Sequence, residues 1–379
     1  MSVYFDHSST TPCLPSAVKA VEEALSQNFG NPSSVHELGL KAEKILKDSR
    51  KAAASALKVK SEQIFFTSGG TEANNLALRG LVKNRRQRPV HIISSYIEHD
   101  SVYRTLQDLS RQEIEVTFIK PNSQGIIEPE KVEQAIKAST ILISIMQVNN
   151  ETGALQPVRK IGNLIKQHSS SLLFHVDAVQ ALGHVPITLN DWQVDLASFS
   201  GHKIGAPKGT GFLYLKNKNL LKPIITGGDQ ENNLRSGTEN VPGIAGLGAA
   251  LKEIPDFKQE EQSGKLTRLK KHFLQQIDQK IPEALINTPE ESAPHIINFS
   301  LEKLPGEVLV NAMSSRGFYI SSGSACHSGR NTESRVLKRM GLTGGRLQGA
   351  LRVSFGRQNQ PKEIDRFLAA LREEYDLLQ

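Results

Sequence analysis

The sequence predicts an α/β fold with two parts: a large domain built on a mainly parallel β-sheet flanked by helices, and a smaller α/β C-terminal domain. Strand patterns alternate with helical patterns from about residue 64 to residue 200, which is typical of parallel sheets with helices on both faces. A chain of 379 residues can form more than one folding unit. The charged, proline-containing stretch 253–258 predicts a boundary. We therefore expect residues 13–255 in the large domain, and residues 1–12 and 256–379 in the small one.

The first elements lead into the sheet. Residues 3–12 predict a short strand and a polar turn, and Pro15–Leu25 has the apolar spacing of a helix. Asn28–Ser34 predicts a loop, followed by a long amphipathic helix from about Val35 to Leu57. A strand begins at Ile64. The segments that follow are strand Val90–Ser95, a helix after His99, strand Glu115–Ile119, helix Pro129–Ala138, strand Ile141–Met146, helix Arg159–His168, strand Leu172–Val176 and strand Asp195–Ser200.

The remaining segments complete the large domain and form the small one. They are strand Phe212–Leu215, helices Ile244–Ile254 and Glu260–Ile281, strands Ile296–Ser300, Phe318–Ser321 and Leu351–Ser354, and a terminal helix after Pro361.

Composition and charge exclude several classes of protein. The net charge of +7 comes from scattered basic residues interleaved with acids, which favours solubilising charge over direct nucleic-acid binding, although attraction to an acidic partner stays open. No run approaches the roughly 20 apolar residues of a membrane span, and the first residues lack the features of a secretory signal. We therefore expect a cytoplasmic protein without a membrane partner. The two cysteines are too few for a disulfide framework and are expected to be free thiols.

Lys203 is the candidate reactive residue of the large domain. It follows the predicted strand Asp195–Ser200 within the stretch Ser-Phe-Ser-Gly-His-Lys, where small residues allow a planar ligand to approach. A lysine in this setting is a candidate for a Schiff base with a cofactor. His99, the run 149–153, Asp177 with Gln180, and Lys203 all follow predicted strands, and ligands of parallel sheets gather at those strand ends.

A glycine-rich turn precedes the helix that starts near residue 73. In Thr67–Glu72, two glycines and several hydroxyl residues lie at a helix N-terminus, where backbone N–H groups and the helix dipole attract anions. Together with Lys203, an acid at Asp177 and a ring at His99, this turn matches what pyridoxal phosphate needs. Each feature also has a structural interpretation: a cap for the turn and for Asp177, a core histidine for His99 and a surface position for the lysine.

Four further residues outside this group are assessed as candidates. Cys326 lies in a run of small polar residues, where an exposed thiol can ionise and act as a nucleophile. Cys13, between two prolines, is more typical of a packing residue, and His327 is poorly placed to assist its neighbour Cys326. Arg352 alternates with apolar residues on a predicted strand. It is either paired with a buried acid or available to clamp a substrate carboxylate.

The motifs together resemble those of the cysteine desulfurases of the NifS/IscS class, which are class-V aminotransferases and fold-type I pyridoxal-phosphate enzymes. The likeness runs along nearly the whole chain. It rests on Phe5-Asp6, Thr10–Pro12, Phe29–Ser33, Thr67–Glu72, Glu98-His99, Val148–Glu151, His175–Asp177, Ser198–Lys203, Arg235–Thr238, Ser321–Cys326 and Arg352–Arg357.

The resemblance implies a role for each matching residue. Lys203 would carry the Schiff base, Asp177 would pair with the pyridine nitrogen, and His99 would stack on the ring. Other members of the site are implied as follows: Asn150 and Gln180 contacting cofactor or substrate, Gly70, Thr71, Ser200 and His202 holding the phosphate with Thr238 from the second subunit of a homodimer, and Arg352 with Asn31 receiving the substrate carboxylate.

The resemblance also implies the reaction. Cys326 would attack the sulfur of cofactor-bound L-cysteine, leaving a persulfide on Cys326 and releasing alanine. The sulfur would pass to acceptors such as an iron–sulfur scaffold or a tRNA-thiolation enzyme. No resident metal is expected, and ligation of a transferred iron–sulfur cluster by Cys326 stays open. The alternatives are a selenocysteine lyase or another lyase of the same fold, and a basic sulfur-relay or RNA-binding protein without turnover.

Two positions depart from the family pattern. His7-Ser8 stands where two asparagines are common, and Asp229 stands where a third glycine is common. The resemblance therefore does not define the geometry of these two loops.

Overall fold

The computed structural model describes residues 2–85, 89–255, 257, 260–322 and 333–379. Its strands are β1 (Val3–Tyr4), β2 (Ile64–Thr67), β3 (Val90–Ser95), β4 (Ile114–Ile119), β5 (Thr140–Ser144), β6 (Leu173–Asp177), β7 (Leu196–Ser200), β8 (Gly211–Leu215), β9 (Leu285–Ile286), β10 (Ile296–Ser300), β11 (Phe318–Tyr319), β12 (Ser321–Ser322) and β13 (Ala350–Ser354).

The large domain is built on a seven-stranded sheet with the order β2-β8-β7-β6-β5-β3-β4. Its central neighbours from β7 to β4 are parallel, and only β8 runs antiparallel to its neighbours β2 and β7. All residues of β3, β6 and β7 are buried, as expected for strands covered on both faces. The predicted mainly parallel sheet is confirmed.

The helices cover this sheet and build the small domain. They are α1 (Pro15–Ser26), α2 (Glu37–Leu57), α3 (Gly70–Asn84), α4 (Asp100–Ser110), α5 (Pro129–Gln134), α6 (Val158–His168), α7 (Val241–Lys252), α8 (Glu260–Lys280), α9 (Gly306–Ser315), α10 (Arg335–Arg339), α11 (Gly344–Gln348) and α12 (Pro361–Leu378). No helix of the described ranges is long and apolar enough to cross a membrane.

Several predicted boundaries differ from the structure. Helix α2 begins at Glu37 because His36 is extended and its ring accepts a hydrogen bond from Gly39 N, as N-cap residues do. Helix α5 ends at Gln134, four residues earlier than predicted. The predicted strand Phe318–Ser321 is divided, since β11 pairs with β1 while β12 pairs with β13. Helices α9, α10 and α11 were not predicted.

The small domain surrounds a four-stranded antiparallel sheet with the order β12-β13-β10-β9. Its hydrophobic cluster combines Val3 and Phe5 with residues of α8, β10, β13 and α12. After β1 the chain continues along β13, where Ser8 N donates to Ser354 Oγ at 2.8 Å. The segment 6–11 is thereby brought to the edge of the large sheet that carries Lys203. The exact domain boundaries at residues 12 and 255 stay predictions.

Candidate active site

Lys203 lies at the carboxyl edge of the large sheet, in the short 3-10 turn Gly201–Lys203 that follows β7. Its Nζ donates hydrogen bonds to the carbonyl oxygens of Ser8 at 2.5 Å and Ser9 at 2.7 Å. Gly201 is required here because a Cβ atom at this position would lie 2.7 Å from Thr210 Oγ1. The lysine is therefore held between the sheet edge and the segment 6–11, and it does not point into bulk solvent.

Asp177 ends the neighbouring strand β6 and is 4% exposed. Its Oδ1 accepts a hydrogen bond from Val179 N at 3.0 Å, and its Oδ2 accepts one from Asn74 Nδ2 at 2.8 Å. The first contact is the turn-capping role that the sequence left open. The second connects the carboxylate to helix α3, so Asp177 is both a turn cap and a member of the site.

His99 caps helix α4 and lies between the sheet and the site. Its Nδ1 accepts a hydrogen bond from Ser101 N at 3.1 Å and lies 2.8 Å from Ser101 Oγ. Burial lowers the pKa of His99, while the charge of Asp177 raises it and that of Lys203 lowers it. Because these two charges act on the ring, His99, Asp177 and Lys203 belong to one electrostatic environment.

The glycine-rich turn forms the N-terminus of α3. A Cβ atom at Gly70 would lie 2.6 Å from Val179 Cγ2 and 3.5 Å from Ser200 Cβ, so the backbone here is packed closely against Ser200. The first N–H groups of a helix have no partners within the helix and can bind an anion. Thr71 follows in the same helical turn. His202 follows Ser200 in the short turn after β7. Its Nδ1 lies 3.2 Å from Thr10 Oγ1.

Gln180 has an oxygen available for a ligand. Its Nε2 donates to Ser8 O at 2.8 Å, but its buried Oε1 has no hydrogen-bond partner among the described residues. A buried amide oxygen without a partner costs about 1–3 kcal/mol unless water or a ligand satisfies it. Pyridoxal phosphate fits these groups together: Lys203, the Asp177 carboxylate, the glycine-rich turn at Gly70 and the Gln180 Oε1 atom.

Arg352 reaches the site from β13 of the small domain and is 3% exposed. Its Nη2 donates to Asp6 Oδ1 at 2.9 Å and to Ser9 Oγ at 2.7 Å, and its Nη1 donates to Asn150 O at 2.9 Å. Arg352 is therefore paired with an acid, Asp6, that is itself only partly buried. Nε is buried and has no partner within the described ranges, so its N–H group is available to a substrate carboxylate.

Two predicted site residues, Asn31 and Thr238, are not brought into this group. Asn31 is exposed and its Oδ1 accepts from Ser33 N at 2.9 Å. Thr238 is also exposed, and it lines a cavity of about 240 Å³ together with Thr67 and Ser68. Cys326 lies outside the described residues. Within the part of the chain that the structure covers, no group of three or more His, Cys, Asp or Glu side chains could hold a metal ion.

The two departures from the family pattern have ordinary local structures. Asp229 has φ of −87°, which any residue adopts, so this position needs no glycine. The His7 ring lies 2.7 Å from Thr11 Oγ1 through Nδ1, and burial lowers the pKa of His7 to about 4. A neutral histidine thus fits where an asparagine is common.

The sequence interpretation missed two acids near the site, Glu98, which is buried, and Glu151, which is partly buried. Glu98 Oε1 accepts from Ser95 Oγ at 2.6 Å and from Met146 N at 3.1 Å, and burial raises the pKa of Glu98 to about 8. Burial also raises the pKa of Glu151 to about 7. Both carboxyls follow predicted strands. Each is adjacent in sequence to a predicted site residue, Glu98 to His99 and Glu151 to Asn150, and this adjacency was the available signal.

A second missed feature joins helix α10 to the site. Ser334 Oγ donates to Glu151, and Arg335 donates to the carbonyl oxygens of Tyr96 and of Glu98, the latter at 2.8 Å. The Arg335 guanidinium also lies 3.8 Å from the centre of the Tyr103 ring. The first residues of α10 therefore contact both turns that carry His99 and Asn150.

Asn74 and Ser101 were also missed. Both are buried and lie between Asp177 and His99. Asn74 interrupts an otherwise apolar run on the buried side of α3, and a polar residue in such a position is a recognisable signal.

Comparison with known proteins agrees with this fold. The family model described as aminotransferase class-V matches residues 3–367. A relative from Methanosarcina thermophila, named cysteine desulfurase IscS, is 40% identical over 98% of this chain and 91% of that protein. A solved structure titled NifS-like protein superposes with a TM-score of 0.92 at 34% identity and covers 100% of both chains. Another, titled SspA in complex with cysteine, has a TM-score of 0.82 at 33% identity over 94% of this chain and 99% of that one.

The chain therefore belongs to the class-V aminotransferase family, and within it to the NifS/IscS class of cysteine desulfurases. These relatives do not favour the selenocysteine lyase alternative.

Proposed function

We propose that this protein is a pyridoxal-phosphate-dependent cysteine desulfurase that converts L-cysteine to L-alanine and transfers the sulfur to Cys326. The observation that carries the proposal is the convergence of Lys203, Asp177 and His99 at one edge of the large sheet. Family membership supports the same reaction.

The residues of the large domain would hold the cofactor. Lys203 would attach it covalently, Asp177 would keep its pyridine nitrogen protonated, and His99 would stack on the ring. The phosphate would be bound by Gly70, Thr71, Ser200 and His202, with Thr238 contributed by a second copy of the chain. When bound, pyridoxal phosphate supplies an electron sink for charge that develops on the substrate carbons.

The substrate side of the site would recognise L-cysteine by its carboxylate. Arg352 offers the buried Nε–H group that has no partner in the described part of the chain, and Asn31 is the second candidate contact. A charge-assisted hydrogen bond in a buried setting is stronger than a neutral one. Asn150 and Gln180 would contact the substrate or the cofactor, since one lies at Arg352 and the other at the segment 6–11.

The sulfur transfer would use the thiolate of Cys326. This thiolate attacks the substrate sulfur, the carbon–sulfur bond breaks, and the electron pair stays with the carbon skeleton, which takes up a proton to give alanine. Cysteine and one thiol thus become alanine and one persulfide, without an external oxidant. A sulfur-acceptor protein, such as an iron–sulfur scaffold or a tRNA-thiolation enzyme, would remove the sulfur. We also propose a homodimer that works in the cytoplasm.

The experiment measures alanine and persulfide formation from L-cysteine by the purified enzyme with pyridoxal phosphate. Lys203→Ala should lose both products and the visible absorption band that borohydride removes. Cys326→Ser should keep the band but lose the persulfide, detected by mass spectrometry. Cys13→Ser is the matched control, because Cys13 is the exposed thiol of the described residues, and it should keep full activity.

Two outcomes would contradict the proposal. Alanine formation at the wild-type rate by Cys326→Ser would reject Cys326 as the nucleophile. Selenide release from L-selenocysteine without sulfide release from L-cysteine would assign the enzyme to the lyase class instead.

A further inference from the structure

We propose that Asn74 is a positioning residue that orients Asp177 and the Ser101 hydroxyl, and that Ser101 fixes the proton of His99 on Nε2. The proposal rests on the proposed function and deepens it, because both target residues belong to the cofactor side of that site. Its basis is a continuous chain of buried hydrogen bonds from Asp177 to His99.

The direction of each hydrogen bond in this chain follows from its members. A carboxylate only accepts hydrogen bonds, so Asn74 must present its amide nitrogen to Asp177 Oδ2, at 2.8 Å. The same nitrogen lies 2.8 Å from Ser101 Oγ and donates its second hydrogen there. The Asn74 side chain thus holds two acceptors, one on a strand end of the sheet and one on helix α4.

Ser101 in turn contacts His99 through its backbone N–H and its hydroxyl. Ser101 N donates to His99 Nδ1 at 3.1 Å, so Nδ1 is an acceptor and carries no hydrogen. Ser101 Oγ, 2.8 Å from the same Nδ1, therefore donates its own hydrogen to it. A neutral imidazole with an unprotonated Nδ1 carries its proton on Nε2. Any proton that neutral His99 gives up therefore leaves from Nε2.

Burial makes this chain of hydrogen bonds sensitive to substitution. Asn74 is fully buried, and Ser101 and Asp177 are 8% and 4% exposed. Asn74 Oδ1 has no partner among the described residues, which costs about 1–3 kcal/mol for a buried polar group. An apolar residue at this position would avoid this cost but would lose the two hydrogen bonds that the amide nitrogen donates. These two bonds explain why an asparagine fits here. Burial also lowers the pKa of His99, which favours the neutral ring.

The central experiment compares Asn74→Leu with Asn75→Leu. Asn75 is the adjacent amide on α3 and contacts Thr105 of α4 at 3.0 Å, but its described bonds do not include Asp177 or Ser101. In the holoenzyme, Asn74→Leu should lower kcat about tenfold, equivalent to 1.4 kcal/mol, and shift the pH midpoint of the cofactor absorption band. Asn75→Leu should leave both unchanged. Equal behaviour of the two variants, with an active wild type, would overturn the proposal.

A second measurement does not depend on turnover. Nitrogen-15 spectra of the histidine-labelled, cofactor-free protein, with His99 assigned by the signal missing in His99→Gln, should show an unprotonated Nδ1 and a protonated Nε2. A protonated Nδ1 would overturn the proposal. Wild-type protein that shows the expected tautomer but makes no alanine would reject the proposed function while leaving this inference intact.

A third variant addresses loss of folding in Asn74→Leu. Ser101→Ala removes only the hydroxyl and keeps the backbone N–H bond to His99, so it should fold, retain the Nε2 tautomer and lower kcat several-fold. Because both residues act through one chain of hydrogen bonds, the double variant should be no slower than the slower single variant. Fully additive losses would contradict the coupling.

Discussion

The proposed cofactor side and the proposed substrate side of the site are built in different ways. Asp177, Lys203 and His99 follow three strands of one parallel sheet in one domain. Arg352, in contrast, comes from the small domain and is held by Asp6, by Ser9 and by the carbonyl oxygen of Asn150 in the large domain. The cofactor side depends on one sheet edge, whereas the substrate side exists only when both domains and the segment 6–11 are packed together.

This difference separates the effects that substitutions should have. Changes on the cofactor side should alter cofactor binding and chemistry while the sheet itself remains folded. Changes on the substrate side should alter substrate affinity and stability together, because the same hydrogen bonds join the domains. Three substitutions test this distinction.

The largest effect is expected for Arg352→Met. The variant leaves the Asp6 carboxylate without its buried partner, and breaking a buried ion pair costs about 3–5 kcal/mol. We expect a loss of this size in the free energy of unfolding of the cofactor-free protein, together with a KM for L-cysteine raised by about tenfold or more. Urea unfolding and steady-state kinetics measure the two effects.

Arg316→Met is the control for Arg352→Met. Arg316 pairs with Glu373 and Glu374 at the surface, and such pairs contribute about 0–1 kcal/mol. If Arg352→Met raised KM but unfolded like the control, the substrate side would not depend on domain packing.

The next effect concerns pH. Burial raises the pKa of Glu151 to about 7, so between its ordinary value of 4.5 and pH 7 the folded protein retains a proton that the unfolded chain releases. Stability must then fall as pH rises through this window, by on the order of 3 kcal/mol for this group. Glu151→Gln removes the ionisation and retains a partner for Ser334. Raising the pH from 5 to 8 should therefore change the unfolding free energy of this variant less unfavourably than that of the wild type, by about that amount.

The exposed Glu290 provides the comparison for Glu151. Glu290→Gln is the matched control, because it makes the same chemical change at an exposed position of the chain. Parallel pH profiles for Glu151→Gln and the wild type would show that Glu151 is ionised in the folded protein, against the expectation.

The same contrast explains what the sequence could predict. Alternating strand and helix patterns predicted that Lys203, Asp177 and His99 lie at one edge of the sheet. This prediction was possible because all parallel strands end at the same edge, so a residue at a strand end is placed by chain direction alone. The partners of Arg352 could not be inferred in this way, since Asp6 lies 346 residues away in sequence. Helices α10 and α11 have only five residues each, too few to show a helical period. Strand β12 was not predicted as a separate strand, because a single residue separates it from β11.

The smallest effect is expected for Ser9→Ala. The Ser9 hydroxyl donates to Asp6 Oδ1 at 2.9 Å and accepts from Arg352 Nη2 at 2.7 Å, so its loss removes two of the contacts that orient the guanidinium. We expect a KM for L-cysteine raised about fivefold, corresponding to about 1 kcal/mol, the net contribution of a typical hydrogen bond, with kcat nearly unchanged. Ser9→Thr should retain the hydroxyl and most of the affinity.

The neighbouring serine makes this last test specific. Ser8 Oγ is buried and has no hydrogen-bond partner among the described residues, so Ser8→Ala should leave KM unchanged or slightly lower it. Both serines also contribute the backbone carbonyls that accept from Lys203, and neither substitution removes a carbonyl. A higher KM in Ser9→Ala alone would therefore trace the effect to Arg352, whereas equal effects in both variants would trace it to the segment 6–11 as a whole.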